Sequence, residues 1–73
     1  MSNWAADFGN DPDRDFALIV EVMEGNEFRA RFERQDTGEL VLRVYPTSSG
    51  FCIPARWLAD LIDTANTELP KST

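Results

Sequence analysis

The stretch FALIVEVMEGNEFRARFERQDTGELVLRVY, residues 16–45, decides the fold predicted from this sequence. It contains three runs in which apolar and polar side chains alternate, the pattern of strands buried on one face. Turn residues separate the runs. Gly25 and Asn26 tolerate the positive φ of a tight hairpin, and Gly38 suits the left-handed end of a second hairpin loop. The stretch therefore predicts an antiparallel meander of three strands.

The same alternation predicts which side chains face the core, because successive residues of a strand point to opposite faces. We expect the inward set to be Phe16, Leu18, Val20, Val22, Phe28, Ala30, Phe32, Leu40, Leu42 and Val44. The outward set then forms an outer face that is partly apolar and partly basic, with Ile19, Val41, Arg29, Arg31, Arg43 and Tyr45.

The C-terminal third of the chain predicts a helix that covers the inner face. Pro46 ends the third strand, and residues 51–53 could add a short fourth strand at its edge. Pro54 suits a first helical position, and residues 54–66 carry one apolar stripe, which comprises Leu58, Leu61, Ile62 and Ala65 and could continue to Leu69. The predicted fold class is α+β, with a three- or four-stranded antiparallel meander packed on one C-terminal helix in two layers. The β-β-β-(β)-α domain spans residues 16–66.

The two ends of the chain are predicted to lie outside this domain. Residues 1–15 are polar, rich in aspartate and without a sustained period, so they predict a flexible acidic arm. Trp4 and Phe8 in this arm either contact the domain's own core or belong to a segment that orders on a partner. Residues 67–73 predict a disordered tail.

Composition places the chain among small acidic domains. Its 73 residues allow one small core, and 7 Lys plus Arg against 13 Asp plus Glu give a net charge of -6. This balance opposes nonspecific binding to nucleic-acid phosphates. A single cysteine cannot form an internal disulfide, and the first ten residues lack the pattern of a signal peptide. We therefore expect an intracellular protein with no membrane segment.

The sequence contains no set of residues typical of an enzyme. Histidine is absent, Cys52 has no base near it in the chain, and the only lysine is Lys71. Asp11, Asp13 and Asp15 have the spacing that begins a calcium loop, but Phe16 and Val22 replace the glycine and glutamate that such a loop needs. We expect no catalytic activity, no cofactor and no metal site.

Surfaces therefore remain as the candidate functional features. The outer-face residues Arg29, Arg31, Arg43 and Tyr45 form either a solvated face, with pairs such as Arg31 with Glu21 or Glu33, or a contact for a protein partner. Trp57, at the flank of the helix stripe, is either a partial core residue or an exposed anchor. The candidate partner-binding residues are Arg29, Arg31, Arg43, Tyr45, Trp57 and Trp4.

Four features carry a resemblance to a known family: the length, the opening Met1-Ser-Asn-Trp-Ala-Ala, the meander of residues 16–45 and the closing Pro54-Ala-Arg-Trp-Leu-Ala helix. In these the chain resembles the small transcription regulators of lytic phages that infect plant-pathogenic bacteria. The resemblance implies a protein of the host bacterial cytoplasm that binds RNA polymerase near the β′ N-terminus and the β flap. We expect it to be a monomer. The resemblance also implies inhibition of σ-dependent initiation through displacement of the σ factor, and antitermination at intrinsic terminators.

Two other functions stay open on the sequence. One is a single-strand nucleic-acid-binding module that uses the basic outer face. The other is an inhibitor or adaptor of another host protein. Under the resemblance, nucleic acid is involved only indirectly, through the polymerase.

Overall fold

The alternating stretch forms three neighbouring strands of one antiparallel sheet in the computed structural model, which describes residues 3–70. The strands are β1 (Trp4–Asp11), β2 (Ala17–Glu24), β3 (Glu27–Arg34) and β4 (Leu40–Val44), and they lie in the spatial order β1-β2-β3-β4. One helix, α1 (Ala55–Glu68), follows the sheet. The predicted α+β fold class is confirmed.

The fourth strand lies at the edge opposite to the predicted one. The prediction placed residues 1–15 in an arm outside the domain, but β1 pairs with β2 along its whole length, from Trp4 opposite Glu24 to Asp11 opposite Ala17. In this segment small, apolar and polar residues are mixed without a sustained alternation, and the backbone groups of β2 pair with it regardless of side chain. Residues 1 and 2 lie outside the described residues. Residues 51–53, the predicted edge strand, are irregular.

The predicted inward set needs three corrections. Phe16 lies in the loop after the 3₁₀ turn Pro12–Arg14, with a positive φ of 59°, and is 67% exposed. A bulge between Val22 and Met23 shifts the register of β3, so that Phe28 lies opposite Met23 and is 53% exposed. Val44, at the end of the edge strand β4, is also exposed. Alternation does not reveal bulges or loop lengths, and these decide which residues at a strand end reach the core.

The core lies between the inner sheet face and α1. Its buried residues are Val20, Val22, Ala30, Phe32, Ala65 and Leu69, and partly buried Leu18, Leu40, Leu42, Leu58 and Leu61 pack against them. Pro54 precedes α1, and its carbonyl oxygen accepts a hydrogen bond from the Leu58 N–H at 3.0 Å. Ile62, predicted to lie in the apolar stripe, is exposed.

The helix ends two residues later than the predicted boundary at residue 66. Leu69, to which the predicted stripe could extend although the predicted tail began at residue 67, is 1% exposed and belongs to the core. Arg34 of β3 holds this end of the helix, since its guanidinium donates to the carbonyl oxygens of Asn66 and Leu69 at 3.0 Å each. Residues 71–73 lie outside the described part of the chain. Within residues 3–70, no helix is long and apolar enough to cross a membrane.

Candidate protein-interaction surfaces

The outer face of the sheet brings like charges together. The register places Arg31 of β3 directly opposite Arg43 of β4, an arrangement that is unfavourable without a counter-charge. Glu33 lies two residues beyond Arg31, on the same face of β3, and supplies that charge. The neighbouring strands therefore build a polar network around one carboxylate.

Glu33 accepts hydrogen bonds from four side chains. Arg31 Nε and Arg43 Nε lie 2.9 and 3.0 Å from Oε1, and Arg43 Nη2, Arg14 Nη1 and Gln35 Nε2 lie 3.2, 3.0 and 3.0 Å from Oε2. The residue is only 1% exposed. The hydrogen bond from Arg43, together with the charge and hydrogen bond of Arg31, outweighs burial and lowers the pKa of the Glu33 carboxyl from 4.5 to about 2. The carboxylate is therefore ionised at neutral pH.

A second buried carboxylate joins this network from β1. Arg31 Nη2 lies 3.1 Å from Oδ2 of Asp11, which is 3% exposed. Arg14 follows directly in the 3₁₀ turn and reaches Glu33. The segment predicted to be a separate acidic arm is thus joined to the sheet by ion pairs. The predicted pairing of Arg31 with Glu33 is confirmed.

The remaining outer-face candidates differ in how accessible they are. The Arg43 side chain is 55% exposed although its Nε is bound to Glu33, and this hydrogen bond raises the pKa of the Arg43 guanidinium. Tyr45 is half-buried just beyond β4, and its N–H donates to the Arg29 carbonyl oxygen at 2.9 Å. Arg29 itself is paired with Glu24 at 3.1 Å. Arg43 is thus the outer-face arginine most available for an external contact.

The two candidate tryptophans meet although they are distant in sequence. The rings of Trp4 and Trp57 lie 6.0 Å apart, and the Trp4 ring lies 5.6 Å from that of Phe51. Trp4 Nε1 donates to the Cys52 carbonyl oxygen at 3.1 Å, and the Arg29 guanidinium lies over Phe51 at 5.8 Å. Both tryptophans are partly buried against the core, as the partial-core interpretation of Trp57 predicted. The aromatic cluster therefore has a packing role.

A further surface was missed by sequence reasoning. Between β1 and α1 run two adjoining depressions of ≈ 360 and ≈ 300 Å³, which share Thr64 as a lining residue. We call them the β1–α1 groove; its other lining residues are Ala5, Ala6, Phe8, Trp57, Asp60, Leu61, Asp63, Thr67 and Glu68. No sequence signal could have located this groove, because it depends on β1 lying at the sheet edge beside the helix.

Comparisons of the chain with protein families, with curated proteins and with solved structures find no match. Within residues 3–70, no group of three or more acidic or cysteine side chains is placed to hold a metal ion. The functional argument therefore depends on the chemistry of the surfaces described above.

Proposed function

We propose that this protein is a non-enzymatic transcription regulator of the phage type. It binds bacterial RNA polymerase by protein–protein contacts, inhibits σ-dependent initiation and promotes antitermination. The identity of the partner, with the β′ N-terminal region and the β flap as the elements bound, comes from the sequence resemblance. The host bacterial cytoplasm as its location comes from the same source.

The observation that supports a protein partner is the neutralisation of the outer-face arginines. Arg14, Arg31 and Arg43 are paired with Glu33 and Asp11, so three positive and two negative charges leave a single net positive charge in the network. A single-strand nucleic-acid site needs an uncompensated cationic groove with exposed aromatic rings for base stacking. Here the arginines contact carboxylates, and the whole chain carries a net charge of -6. A protein contact is the better fit.

Arg43 and Tyr45 are the outer-face residues through which such a contact would form. Arginine and tyrosine are the residue types that most often dominate the binding energy of protein interfaces. The exposed part of the Arg43 side chain remains available because only one edge of its guanidinium contacts Glu33. Arg31 supports this surface through its ion pair with Glu33, whereas Trp4 and Trp57 pack against the core.

A binding assay with purified bacterial RNA polymerase tests the proposal. Immobilised protein should retain the core enzyme, and added protein should reduce σ-dependent transcripts while raising read-through of an intrinsic terminator. Arg43→Ala should weaken retention about tenfold or more, as for an interface anchor. The matched control is Arg56→Ala, which removes an exposed arginine of α1 that has no ion pair among the described residues. Failure of the unaltered protein to retain polymerase contradicts the proposal.

Titration with a labelled single-stranded oligonucleotide tests the nucleic-acid alternative. We expect no binding at micromolar protein, because the arginine charges are compensated within the fold. Micromolar affinity that falls steeply between low and moderate salt would overturn the choice of a protein partner.

A further inference from the structure

The outer edge of β1 is a long strand edge that pairs with no other strand of the described chain. β1 has eight residues, pairs with β2 on one side and lies at the end of the sheet order. It contains no proline, no lysine and no bulge, three of the devices with which proteins block an exposed edge, and its charged residue Asp7 occupies only the Phe8 N–H. Such an edge can accept an additional strand.

The hydrogen bonds at the two ends of β1 show which of its backbone N–H and C=O groups point away from β2. The Asn3 and Asp11 carbonyl oxygens accept bonds from the N–H groups of Gly25 and Phe16, so both point toward β2. Because direction alternates along an antiparallel strand, the backbone groups of the even-numbered residues point away from the sheet. These residues are Trp4, Ala6, Phe8 and Asn10. The Phe8 N–H confirms this, since it donates to the Asp7 side chain at 3.0 Å instead of a neighbouring strand.

The groove beside this edge has a distinct charge. Asp60, Asp63 and Glu68 line it, and none of the three has an ion pair within residues 3–70. Neither of the two depressions is lined by a lysine or arginine. Phe8, 48% exposed, provides an apolar surface at the same place. The groove therefore complements a segment that carries both basic and apolar side chains.

We propose that the free edge of β1 and the β1–α1 groove together bind an extended, basic segment of a partner protein, which adds to the sheet as a fifth strand. Main-chain hydrogen bonds to the even-numbered residues of β1 supply affinity, and the helix carboxylates select basic side chains. A second copy of this chain is a poorer occupant, because two grooves of the same negative charge would face each other. The inference rests on the proposed function and deepens it by adding a second binding surface, apart from Arg43 and Tyr45, and by naming the chemistry of the partner segment that this surface would bind.

A defined peptide tests the inference without polymerase. The probe is an eight-residue peptide of alternating lysine and valine with blocked ends, titrated into isotope-labelled protein and followed by NMR. We expect amide shift changes confined to β1 and the facing side of α1. Two peptides serve as controls: one of alternating glutamate and valine, and one of lysine and valine with all backbone amides N-methylated. Both should bind at least about tenfold more weakly, because one lacks the charge and the other the donors.

Two protein variants locate the site. Ala6→Pro removes an N–H that points to the free edge and leaves the β1–β2 ladder intact, so it should weaken peptide binding about tenfold with the fold retained. Asp60→Asn combined with Asp63→Asn should weaken it about three- to tenfold and reduce its salt dependence. The matched control changes two carboxylates away from the groove, Asp36→Asn and Glu39→Gln, and should leave affinity unchanged.

Several results would overturn the inference. They are equal binding of the glutamate peptide or of the N-methylated peptide, shift changes outside β1 and α1, or a dimer in sedimentation equilibrium whose interface contains β1. If Ala6→Pro does not fold, the N-methylated peptide still decides whether main-chain bonding is used. Polymerase is absent from the peptide assay, so the two experiments can fail independently. A negative peptide result would not contradict retention of polymerase, and failed retention of polymerase would not contradict peptide binding.

Discussion

Replacing Glu33 by glutamine should destabilise the fold by an amount that depends on pH. Glutamine keeps the size of the side chain and removes the charge that three arginines share. The lowering of the Glu33 pKa from 4.5 to about 2 corresponds to about 3 kcal/mol of stabilisation at neutral pH. In a domain of this size, that loss lowers the melting temperature by roughly 12 to 24 °C.

The pH dependence separates this mechanism from a general packing defect. Because the pKa of the folded state lies below that of the unfolded state, the Glu33 contribution is fully present above about pH 5 and is lost as the pH falls through about 2. The difference in unfolding free energy between the unaltered protein and Glu33→Gln should therefore shrink to less than half by about pH 3 and nearly vanish at about pH 2.

Circular dichroism melting and urea unfolding at several pH values measure this difference. Glu39→Gln is the matched control, because Glu39 is exposed and its carboxylate takes part in no ion pair of the described residues, so its effect should stay within about 0.5 kcal/mol. A difference for Glu33→Gln below about 1 kcal/mol at pH 7, or one of equal size at pH 3 and pH 7, would refute the argument.

Three further predictions concern the core, the helix end and two glycines. Phe32→Ala should lower the free energy of unfolding in urea by about 3–5 kcal/mol, because Phe32 is buried. Phe16→Ala, at an exposed loop position, should lower it by less than about 1 kcal/mol. Equal losses would contradict the assigned core. Arg34→Lys should speed hydrogen exchange of the Leu69 amide. One ammonium group cannot donate hydrogen bonds to the carbonyl oxygens of Asn66, Leu69 and Gly38 together. An unchanged exchange rate would show that these bonds do not hold the helix end. Gly38→Ala, at a φ of +91°, should cost about 1–2 kcal/mol in thermal unfolding. Gly9→Ala should cost less than about 1 kcal/mol, because its Cβ would meet only the movable end of Glu21; a larger loss at Gly9 than at Gly38 would contradict this assignment.

The sequence was most informative where side chains repeat with a clear period. The central strands and the helix are all present, and five of the six buried apolar residues of the core cluster, Val20, Val22, Ala30, Phe32 and Ala65, were predicted to face inward. Period-2 and period-3.6 patterns arise directly from burying one face, so they survive in the sequence. The exposed positions of Phe16, Phe28 and Ile62 show the limit of this argument, since loop length, a bulge and the width of the helix contact carry no periodic signal.

The outer face of the sheet was also predicted only in part from the sequence. Sequence reasoning placed Arg29, Arg31, Arg43 and Tyr45 near one face, and β3 and β4 do bring Arg31 and Arg43 opposite each other. It predicted the pair of Arg31 with Glu33, but it did not reveal that Asp11 and Arg14 join this network, because both reach the sheet only through the pairing of β1 with β2. Which charges are free is a question of distance in space, and no local pattern records that distance.

The sequence by itself thus determined the class of fold and the composition of its core. Burying one face of a strand or helix requires apolar residues at a regular spacing, and that spacing is visible in the sequence. Only the tertiary structure decided that residues 4–11 form a strand, that the outer arginines are held by buried carboxylates, and that an acidic groove lies beside an open sheet edge. Each of these features depends on backbone pairing or charge contacts between segments far apart in sequence. Backbone hydrogen bonds between strands do not depend on the side-chain pattern, so the sequence does not show them. They nevertheless set which surfaces this protein offers to a partner.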